Sequence, residues 1–366
     1  MNSKAKILYF VHLPPPLHGV STVSKTIFDS EKINANIEKR LIRINYSDNL
    51  DQLDRISLNK IYKLINLWFR LLFHLISFKP SYVYWTIVPL GNGFIRDSLF
   101  VILFKLFNTK PIYHLHGNGI SEVKSKFRLK LYRFVFSNSI VIHLSKGLMK
   151  KEITPLKIKN SITYSVPNGV DDLLNDSHEN IRNGKVNILY LSNYSESKGL
   201  YVLVEAIKIL KQKELNFYVT VVGKPFNVND KKLDNLLQEY NIKDDVSFVG
   251  PKYGAEKDDE FKQADIFVFP TLNDTFPLVL IEAMKYSLPI VGSMEGAIPE
   301  IIDDGETGYI VKKRNFVSVA IKLEELIKND SLREEMGRKG YNKFKVNYTN
   351  DVFEQRISDI FKKNVN

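Results

Sequence analysis

The chain has 366 residues, of which 44% are hydrophobic, and it contains no cysteine. This composition is typical of a globular protein large enough for two domains, and it excludes a disordered chain, a disulfide framework and thiolate chemistry. The net charge of +11 is uneven, because residues 1–170 carry 25 Lys and Arg against 9 Asp and Glu, whereas residues 171–366 carry 27 against 32. The basic half indicates an anionic partner such as nucleic acid, a membrane surface or a phosphorylated lipid or sugar; the alternative is a solvated Lys-rich surface.

Apolar segments alternate with amphipathic ones along the first half, which predicts a parallel, doubly wound sheet. The predicted strands are Ile7–Val11, Tyr82–Trp85, Pro111–Leu115, Ile140–Leu144 and Ile162–Val166. The predicted helices between them are Val20–Ser30, Lys60–Phe78, Phe94–Asn108 and Lys124–Ser137. The first apolar stretch is too short for a signal peptide, and the longer hydrophobic segments are interrupted by charge and too short to span a membrane. We therefore expect a cytoplasmic protein that docks, if at all, on the inner face of the cell membrane.

One predicted helix has an unusual composition. Its sequence, KIYKLINLWFRLLFHLISFK at residues 60–79, is rich in Leu, Ile, Phe and Trp and has basic residues at both ends. That composition is similar to a helix lying in a membrane interface. A long helix packed on the core is the alternative, and its position in a βαβ pattern favours the core. Both interpretations stay open, because the basic first half also suits an anionic membrane.

The second half repeats the alternation of strands and helices after residue 183. Its predicted strands are Val186–Leu191, Phe217–Val222, Val246–Val249, Ile266–Phe269 and Ile290–Gly292. Between the halves, the turn signal Asn168-Gly169 and the polar run that follows it predict a linker. We therefore expect one domain at residues 1–170, a second at residues 171–350, and a terminal helix at residues 351–366.

The run Phe269–Val311 combines a strand, a short polar loop, a helix and another strand. Thr275 is the expected N-cap of the helix, with Pro277 in its first turn. Such a βαβ unit binds ligands at the carboxyl ends of its strands, where Asp274 lies. Glu282 falls inside the apolar helix, where burial without a partner is costly. It either faces solvent or reaches toward a polyhydroxylated ligand held at the helix N-terminus.

Three further stretches follow predicted strands. Gly19 precedes a helix whose first turn a phosphate can approach, and Lys198 sets a cation beside the free N–H groups of another helix. His114 and His116 point to the same side of their strand, so they are either a metal pair or structural histidines. The sequence supplies no third metal ligand, and we expect no metal site.

The run Phe269–Val311 contains a pattern of two acidic residues, in which seven residues separate Asp274 from Glu282. A Leu-Pro-Ile-Val strand and the sequence Gly-Ala-Ile-Pro-Glu follow this pair. This run closely resembles the nucleotide-sugar signature of the retaining glycosyltransferases of family 4, which have GT-B architecture. The sequence VPNGVD at residues 166–171 also matches the junction between the domains of that family. The resemblance implies an α/β protein with two Rossmann-like domains facing across a cleft, and a C-terminal helix that crosses back to the N-terminal domain.

The resemblance also implies roles for individual residues, with the donor bound by the second domain and the acceptor by the first. The implied catalytic residues are His116, Asp274 and Lys198, and the implied donor contacts are Gly19, Asn193, Lys198, Phe276, Pro277, Leu278 and Glu282. Glu282 would hold the ribose hydroxyls, while Lys198, Gly19 and the amides of the turn at residues 276–278 would stabilise the diphosphate. Asp274 and His116 would orient the sugar.

This sequence departs from the family at several of these positions. His18 replaces the first of two usual glycines, Asp274 replaces Glu, and Pro277 replaces a common Gly. Asn193 stands where the family has Arg, and an Asn side chain cannot neutralise a diphosphate. We expect Lys198 to carry that charge alone, or with Lys224 or Lys252.

The implied reaction is retaining transfer of a hexose from a UDP- or GDP-linked donor to a hydroxyl of a glycan or polyprenyl-diphosphate-linked acceptor. No further cofactor is expected. The implied setting is bacterial surface polysaccharide biosynthesis, such as capsule or lipopolysaccharide, with contact to an anionic membrane. The alternatives are a nucleotide-sugar epimerase and a non-catalytic module that binds a membrane or nucleic acid. No nucleic-acid motif is present, so nucleic acid is not an expected partner. A nicotinamide-dependent dehydrogenase is disfavoured, because no G-x-G-x-x-G follows a predicted strand.

Overall fold

The computed structural model describes residues 4–15, 19–44, 58–173 and 184–365. The chain divides into two compact units, Met1–Asn168 with Asn350–Asn366, and Gly169–Thr349. The boundaries predicted from the sequence fall after residues 170 and 350. His18 and residues 174–183 of the predicted linker lie outside the described residues.

The first unit contains a parallel sheet of six strands within its described residues, in the order β2-β1-β3-β4-β5-β6. The strands are β1 (Ala5–Val11), β2 (Ile37–Arg43), β3 (Tyr82–Trp85), β4 (Lys110–Leu115), β5 (Ile140–His143) and β6 (Ile162–Ser165). The helices are α1 (Gly19–Asp29), α2 (Glu31–Asn34), α3 (Leu58–Ser77), α4 (Gly91–Leu106), α5 (Lys126–Phe136) and α6 (Lys146–Leu148).

The two faces of this sheet contribute to separate hydrophobic clusters. Along β1, Leu8 and Phe10 belong to one cluster, and Ile7, Tyr9 and Val11 belong to the other. This is the alternation expected of a strand that is buried on both sides. The cluster of Leu8 is covered by α3, α4 and α5, and the opposite cluster by α1 and α2.

The second unit has its own parallel sheet, again of six strands among the residues described, in the order β12-β11-β10-β7-β8-β9. The strands are β7 (Val186–Leu191), β8 (Phe217–Val222), β9 (Val246–Gly250), β10 (Ile266–Phe269), β11 (Ile290–Ser293) and β12 (Gly308–Val311). The helices are α7 (Leu200–Gln212), α8 (Asp230–Glu239), α9 (Ala255–Gln263), α10 (Leu278–Lys285), α11 (Ile298–Ile301), α12 (Phe316–Lys328) and α13 (Asp330–Asn347).

The last helix, α14 (Asn350–Asn364), packs on the first unit. Phe353, Ile357 and Phe361 are buried and join the same cluster as Ile7 and its neighbours. The Tyr82 hydroxyl donates a hydrogen bond of 2.6 Å to the carbonyl of Asn364, which fixes the end of the helix to the sheet. The expected α/β class, with two Rossmann-like halves and a terminal helix that returns to the first, is confirmed.

The sequence pattern missed two edge strands, β2 and β12. β2 has the sequence IEKRLIR and is exposed at most positions, because it pairs only with β1. β12 has only four residues, GYIV, and follows a turn. β2 lacks the apolar run of a central strand and β12 is too short to show one, so hydrophobic periodicity does not reveal these two strands.

Within the described part of the chain, no helix combines the length and the apolar character that crossing a bilayer requires.

Candidate functional site

The candidate site lies where the strand order of the second sheet reverses. From β7 the chain adds β8 and β9 on one side of the sheet. It then returns and adds β10, β11 and β12 on the other side of β7. A crevice forms at the carboxyl ends of strands at such a point, and ligands of doubly wound proteins bind there. The loop after β7 ends in a short 3-10 turn, Glu196–Lys198, and the loop after β10 carries Asp274.

Lys198 and Asp274 meet at this point, although 75 residues separate them in the sequence. The Lys198 Nζ lies 2.6 Å from Asp274 Oδ2 and donates a second hydrogen bond of 3.1 Å to the carbonyl of Asn273. The two side chains are 29% and 18% exposed, so the pair lies at the surface of the unit, open to a ligand. The structure thus joins two of the three residues predicted as catalytic.

Main-chain contacts hold the two loops together. The carbonyl of Ser197 accepts hydrogen bonds from the N–H of Leu272 at 2.8 Å and of Asn273 at 3.1 Å. The Tyr190 hydroxyl, inside the sheet, donates to the carbonyl of Lys198 at 3.0 Å. The backbone beside Lys198 is therefore held on both sides.

Two glycines allow close backbone approach at this site. Gly199 has φ +81°, and a Cβ there would lie 2.0 Å from the carbonyl oxygen of Pro270. Gly296 has φ +52°, and a Cβ there would lie 2.1 Å from the carbonyl oxygen of Asp274. Only glycine meets both the left-handed conformation and the lack of space. The Asp274 loop therefore packs directly against the backbone after β11.

The N-terminus of α10 differs from the expectation. The helix begins at Leu278, and no side chain caps it, so the prediction of Thr275 as N-cap is wrong. Thr275 instead uses its carbonyl, which accepts a hydrogen bond of 2.8 Å from the N–H of Ala297. Pro277 has no N–H, so only Phe276 and Leu278 of the predicted turn have amides to offer an anion. The Phe276 side chain itself is buried.

Glu282 has a partner that the sequence does not predict. Its Oε1 lies 2.7 Å from the Nζ of Lys257, which comes from α9. The carboxylate is 19% exposed, so it is neither freely solvated nor sealed inside the unit. The nearby cation explains how a carboxylate is tolerated in an apolar helix.

The position of Asn193 is exposed, immediately after β7. The main chain of the next residue, Tyr194, donates a hydrogen bond of 2.8 Å to the carbonyl of Lys224, so that lysine lies on the neighbouring loop. Lys252 is 4.0 Å from Glu256 in its own segment. Of the two lysines proposed to compensate for the missing Arg, Lys224 is therefore held by its backbone next to the Asn193 loop.

In the first unit, His114 and His116 have different surroundings. His114 is fully buried and shares a hydrogen bond of 2.6 Å with the Tyr84 hydroxyl. Burial, together with His116 and His143, lowers the pKa of His114 well below its ordinary value, so the ring is neutral. His116 is half-buried and follows the end of β4. Among the described residues, no group of three or more His, Cys, Asp or Glu is placed to hold a metal ion.

The other predicted residue of the first unit, Gly19, is the first residue of α1, after β1. β3 lies between β1 and β4 in the sheet. Gly19 and His116 therefore follow strands that are not neighbours.

Glu152 stabilises the loop after His116, and the sequence did not predict this role. Glu152 is 1% exposed, and its Oε2 accepts hydrogen bonds of 3.0 Å from the N–H groups of Gly119 and Ser121. The Ser121 hydroxyl donates to its Oε1 at 3.1 Å. The only sequence signal was one acidic residue in a strongly basic stretch.

Comparison with known proteins finds a family match over part of the chain. Residues 173–343 match the family described as glycosyl transferases group 1. The chain is 26% identical over 270 residues to the capsular polysaccharide biosynthesis glycosyltransferase CapM of Staphylococcus aureus, covering 68% of this chain and 69% of CapM. It is 27% identical over 240 residues to the amylovoran biosynthesis glycosyltransferase AmsK of Erwinia amylovora, covering 62% of this chain and 57% of AmsK.

The fold is shared with solved structures. The crystal structure of Anabaena Alr3699/HepE in complex with UDP superposes with a TM-score of 0.75 and 15% identity, covering 98% of this chain and 100% of HepE. At that identity the likeness concerns the fold alone. The match at residues 173–343 spans every strand of the second sheet. The second unit thus resembles the glycosyl transferases of group 1, and the chain has a fold of the GT-B class.

Proposed function

We propose that this protein transfers a sugar from a nucleoside-diphosphate sugar to a hydroxyl group of a glycan or lipid-linked oligosaccharide. The observation that carries the proposal is the meeting of Lys198 and Asp274 at the switch point of the second sheet, beside the uncapped N-terminus of α10. A cation and free helix amides attract a diphosphate, and a neighbouring carboxylate accepts hydrogen bonds from sugar hydroxyls. The fold shared with a UDP-bound structure supports the same ligand class.

The diphosphate of the donor competes with Asp274 for Lys198. A diphosphate carries more negative charge than one carboxylate and also meets the N–H groups of Phe276 and Leu278. We therefore propose that the ion pair of the free protein exchanges for a Lys198–diphosphate contact. Asp274 then becomes available for a hydroxyl of the transferred sugar.

Glu282 is proposed to accept hydrogen bonds from the two ribose hydroxyls. A carboxylate has two oxygens and accepts bidentate contacts from adjacent donors. Lys257, 2.7 Å away, holds this carboxylate in its orientation. Lys257 is therefore a positioning residue, because it acts through Glu282.

The proposed reaction breaks the bond between the anomeric carbon and the diphosphate oxygen and forms a bond from that carbon to the acceptor oxygen. The acceptor proton passes to the departing diphosphate, whose developing charge Lys198 stabilises. We propose that the configuration at the anomeric carbon is retained and that no protein carboxylate acts as nucleophile. The resemblance to the family supports two further proposed contacts with the donor. His116 would contact the sugar, and Gly19 would contact the diphosphate.

The proposed biological setting is the assembly of a bacterial surface polysaccharide, with a glycan or polyprenyl-diphosphate-linked acceptor. The support is that two relatives carry the names of capsular polysaccharide and amylovoran biosynthesis enzymes.

The direct test is release of nucleoside diphosphate from a panel of UDP- and GDP-sugars by the purified protein, with and without oligosaccharide acceptors. We expect release that depends on an acceptor, together with a product enlarged by one sugar. An acceptor-independent reaction that yields an epimerised sugar would instead identify the epimerase alternative. Full turnover by Lys198→Ala on the true substrates would contradict the site.

A further inference from the structure

The surface of α3, α4 and α5 that points away from the first sheet, here the outer face, exposes many large apolar side chains. On α3, the exposed positions Leu58, Tyr62, Ile65, Phe69, Phe73 and Ile76 follow one another at intervals of three or four residues. Phe69 and Phe73 are 60% and 64% exposed. At 100° per residue this spacing makes one continuous stripe, whereas exposed apolar residues of a soluble surface are usually scattered.

The outer face continues onto the two neighbouring helices. Leu99, Ile102 and Leu106 of α4 are exposed, as are Phe127 and Phe134 of α5. The three helices cover one cluster on one side of the sheet, so their exposed sides share that side of the unit. More than half of the large apolar side chains exposed in the described residues belong to this face.

The charge of the outer face has a single sign. By sequence, α3, α4 and α5 together contain nine Lys and Arg and one carboxylate, that of Asp97. Asp97 is 1% exposed and is paired with Arg96 at 2.8 Å. Lys63 and Arg70 lie seven residues apart, which places them together along one border of the α3 stripe. Lys126 and Lys130 are exposed on α5.

A shallow depression, open to solvent, lies along α3 between the stripe and this basic border. Among the described residues it is lined by Ile65, Phe69 and Phe73 on the apolar side and by Arg70 on the basic side. Apolar side chains thus lie next to a guanidinium group, an arrangement that matches the boundary between acyl chains and phosphate headgroups.

We propose that the outer face binds a lipid surface carrying anionic headgroups. The apolar stripe would enter the boundary between headgroups and acyl chains, and the Lys and Arg around it would contact the phosphates. The alternation of strands and helices alone favoured a core-packing role for α3. The structure adds that α3 packs on the core with one side and exposes an equally apolar other side.

Charge complementarity selects this occupant over a second copy of the chain. Two outer faces brought together would oppose cations with cations, and no exposed carboxylate on the three helices would compensate. An anionic membrane surface attracts Lys and Arg side chains close to it, and each added cation strengthens the attraction. The proposal concerns the first unit alone and does not rest on the transfer reaction.

The test is flotation of the full-length protein with vesicles of phosphatidylcholine alone or mixed with phosphatidylglycerol. We expect binding to the mixed vesicles, at least about tenfold weaker binding to phosphatidylcholine, and a loss of binding as salt is raised. Lys126→Glu with Lys130→Glu should weaken binding to the mixed vesicles at least about tenfold. Its charge-matched control is Lys185→Glu with Lys243→Glu, exposed in the second unit, which should bind as the wild type does.

The apolar contribution has its own pair of variants. Phe69→Ser with Phe73→Ser should weaken binding to the mixed vesicles at least about tenfold. The control is Val317→Ser with Ile321→Ser on α12, which has the same spacing and exposures of 48% and 50%. Circular dichroism and thermal unfolding check that each variant folds.

Three outcomes would overturn the proposal. Absent binding to both kinds of vesicle would refute it, as would equal binding to both. Loss of binding in the controls to the same extent as in the outer-face variants would show that location does not matter. The wild type could also sediment as a dimer. If Phe69→Ser with Phe73→Ser dissociates that dimer and leaves vesicle binding unchanged, the outer face binds a second copy of the chain instead.

Discussion

Glu282 is a proposed donor contact whose surroundings the structure describes closely. Its Oε1 lies 2.7 Å from the Nζ of Lys257, and its side chain remains partly exposed. We expect Glu282→Gln to weaken nucleoside-diphosphate binding about tenfold to a hundredfold, because a charge-assisted hydrogen bond contributes about 1.5–3 kcal/mol. Lys257→Met should have a smaller effect, since Lys257 acts through Glu282. Calorimetric titration measures both.

The control for Glu282 is Glu324→Gln. Glu324 also pairs with two lysines of the same unit, Lys213 just after α7 and Lys328 on α12. Its loss should leave nucleotide affinity unchanged. If Lys257→Met weakens binding as much as Glu282→Gln does, the lysine itself contacts the ligand and its positioning role is wrong.

Glu152 leads to a prediction about stability. Glu152→Ala removes the acceptor of three donors on the loop after β4, two of them main-chain N–H groups. We expect the free energy of unfolding of the first unit to fall by about 2–4 kcal/mol, because buried donors without acceptors are costly. Denaturant unfolding measures this, with Glu122→Ala, an exposed neighbour, as control. Equal losses in the two variants would contradict the account.

At the scale of residues, the sequence revealed which residue types matter but not which of them pair. Lys198 and Asp274 were both predicted, yet their contact depends on β7 and β10 being neighbours. Lys257 was missed because α9, with the sequence AEKDDEFKQ, is typical of a solvated helix. Which of its lysines faces Glu282 depends on packing that no local pattern encodes.

At the scale of elements, the loops of the site depend on close packing between backbones. We expect Gly296→Ala to destabilise the second unit and to weaken nucleotide binding, because the new Cβ must displace the carbonyl of Asp274, 2.1 Å away. Gly305 is the matched control, since it also has positive φ, +80°, but a Cβ added there would have no heavy atom within 4 Å. Gly305→Ala should therefore cost only the conformational strain of about 1–2 kcal/mol.

Denaturant unfolding and nucleotide titration of both glycine variants decide the matter. Equal stability losses with unchanged affinity would mean that the Asp274 loop does not depend on the backbone at Gly296. The boundaries of such loops were the least predictable elements, as α10 illustrates. A Thr before an apolar run is a usual N-cap, but here Pro277 precedes the first helical residue and Thr275 contacts Ala297 instead.

At the scale of the whole molecule, α14 supplies part of the hydrophobic core of the first unit. Phe353 is 1% exposed and belongs to the cluster beneath β1 and β4. We expect Phe353→Ala to lower the free energy of unfolding by about 3–5 kcal/mol, through lost burial and the cavity left behind. Hydrogen exchange should quicken at Ile7–Val11 and remain unchanged at Val186–Leu191. Val346→Ala, at a position 69% exposed on α13, is the control.

Acceleration of exchange in β7 to the same extent as in β1 would contradict the assignment of α14 to the first unit. The sequence predicted this helix because its apolar residues share one face and the resemblance indicated where it goes. The two doubly wound sheets were predictable for a similar reason, since central parallel strands are long apolar runs. The edges β2 and β12 were not, because β2 is exposed at most positions and β12 has only four residues.

The central claim is that the second unit binds a nucleoside diphosphate through Lys198. Calorimetric titration of UDP and GDP into the wild type, Lys198→Gln and the control Lys213→Gln tests it most directly. We predict that one of the nucleotides binds to the wild type and to the control, and that Lys198→Gln binds it about tenfold to a hundredfold more weakly. Wild-type protein that binds neither nucleotide, or Lys198→Gln that binds as tightly as the wild type, would contradict the account.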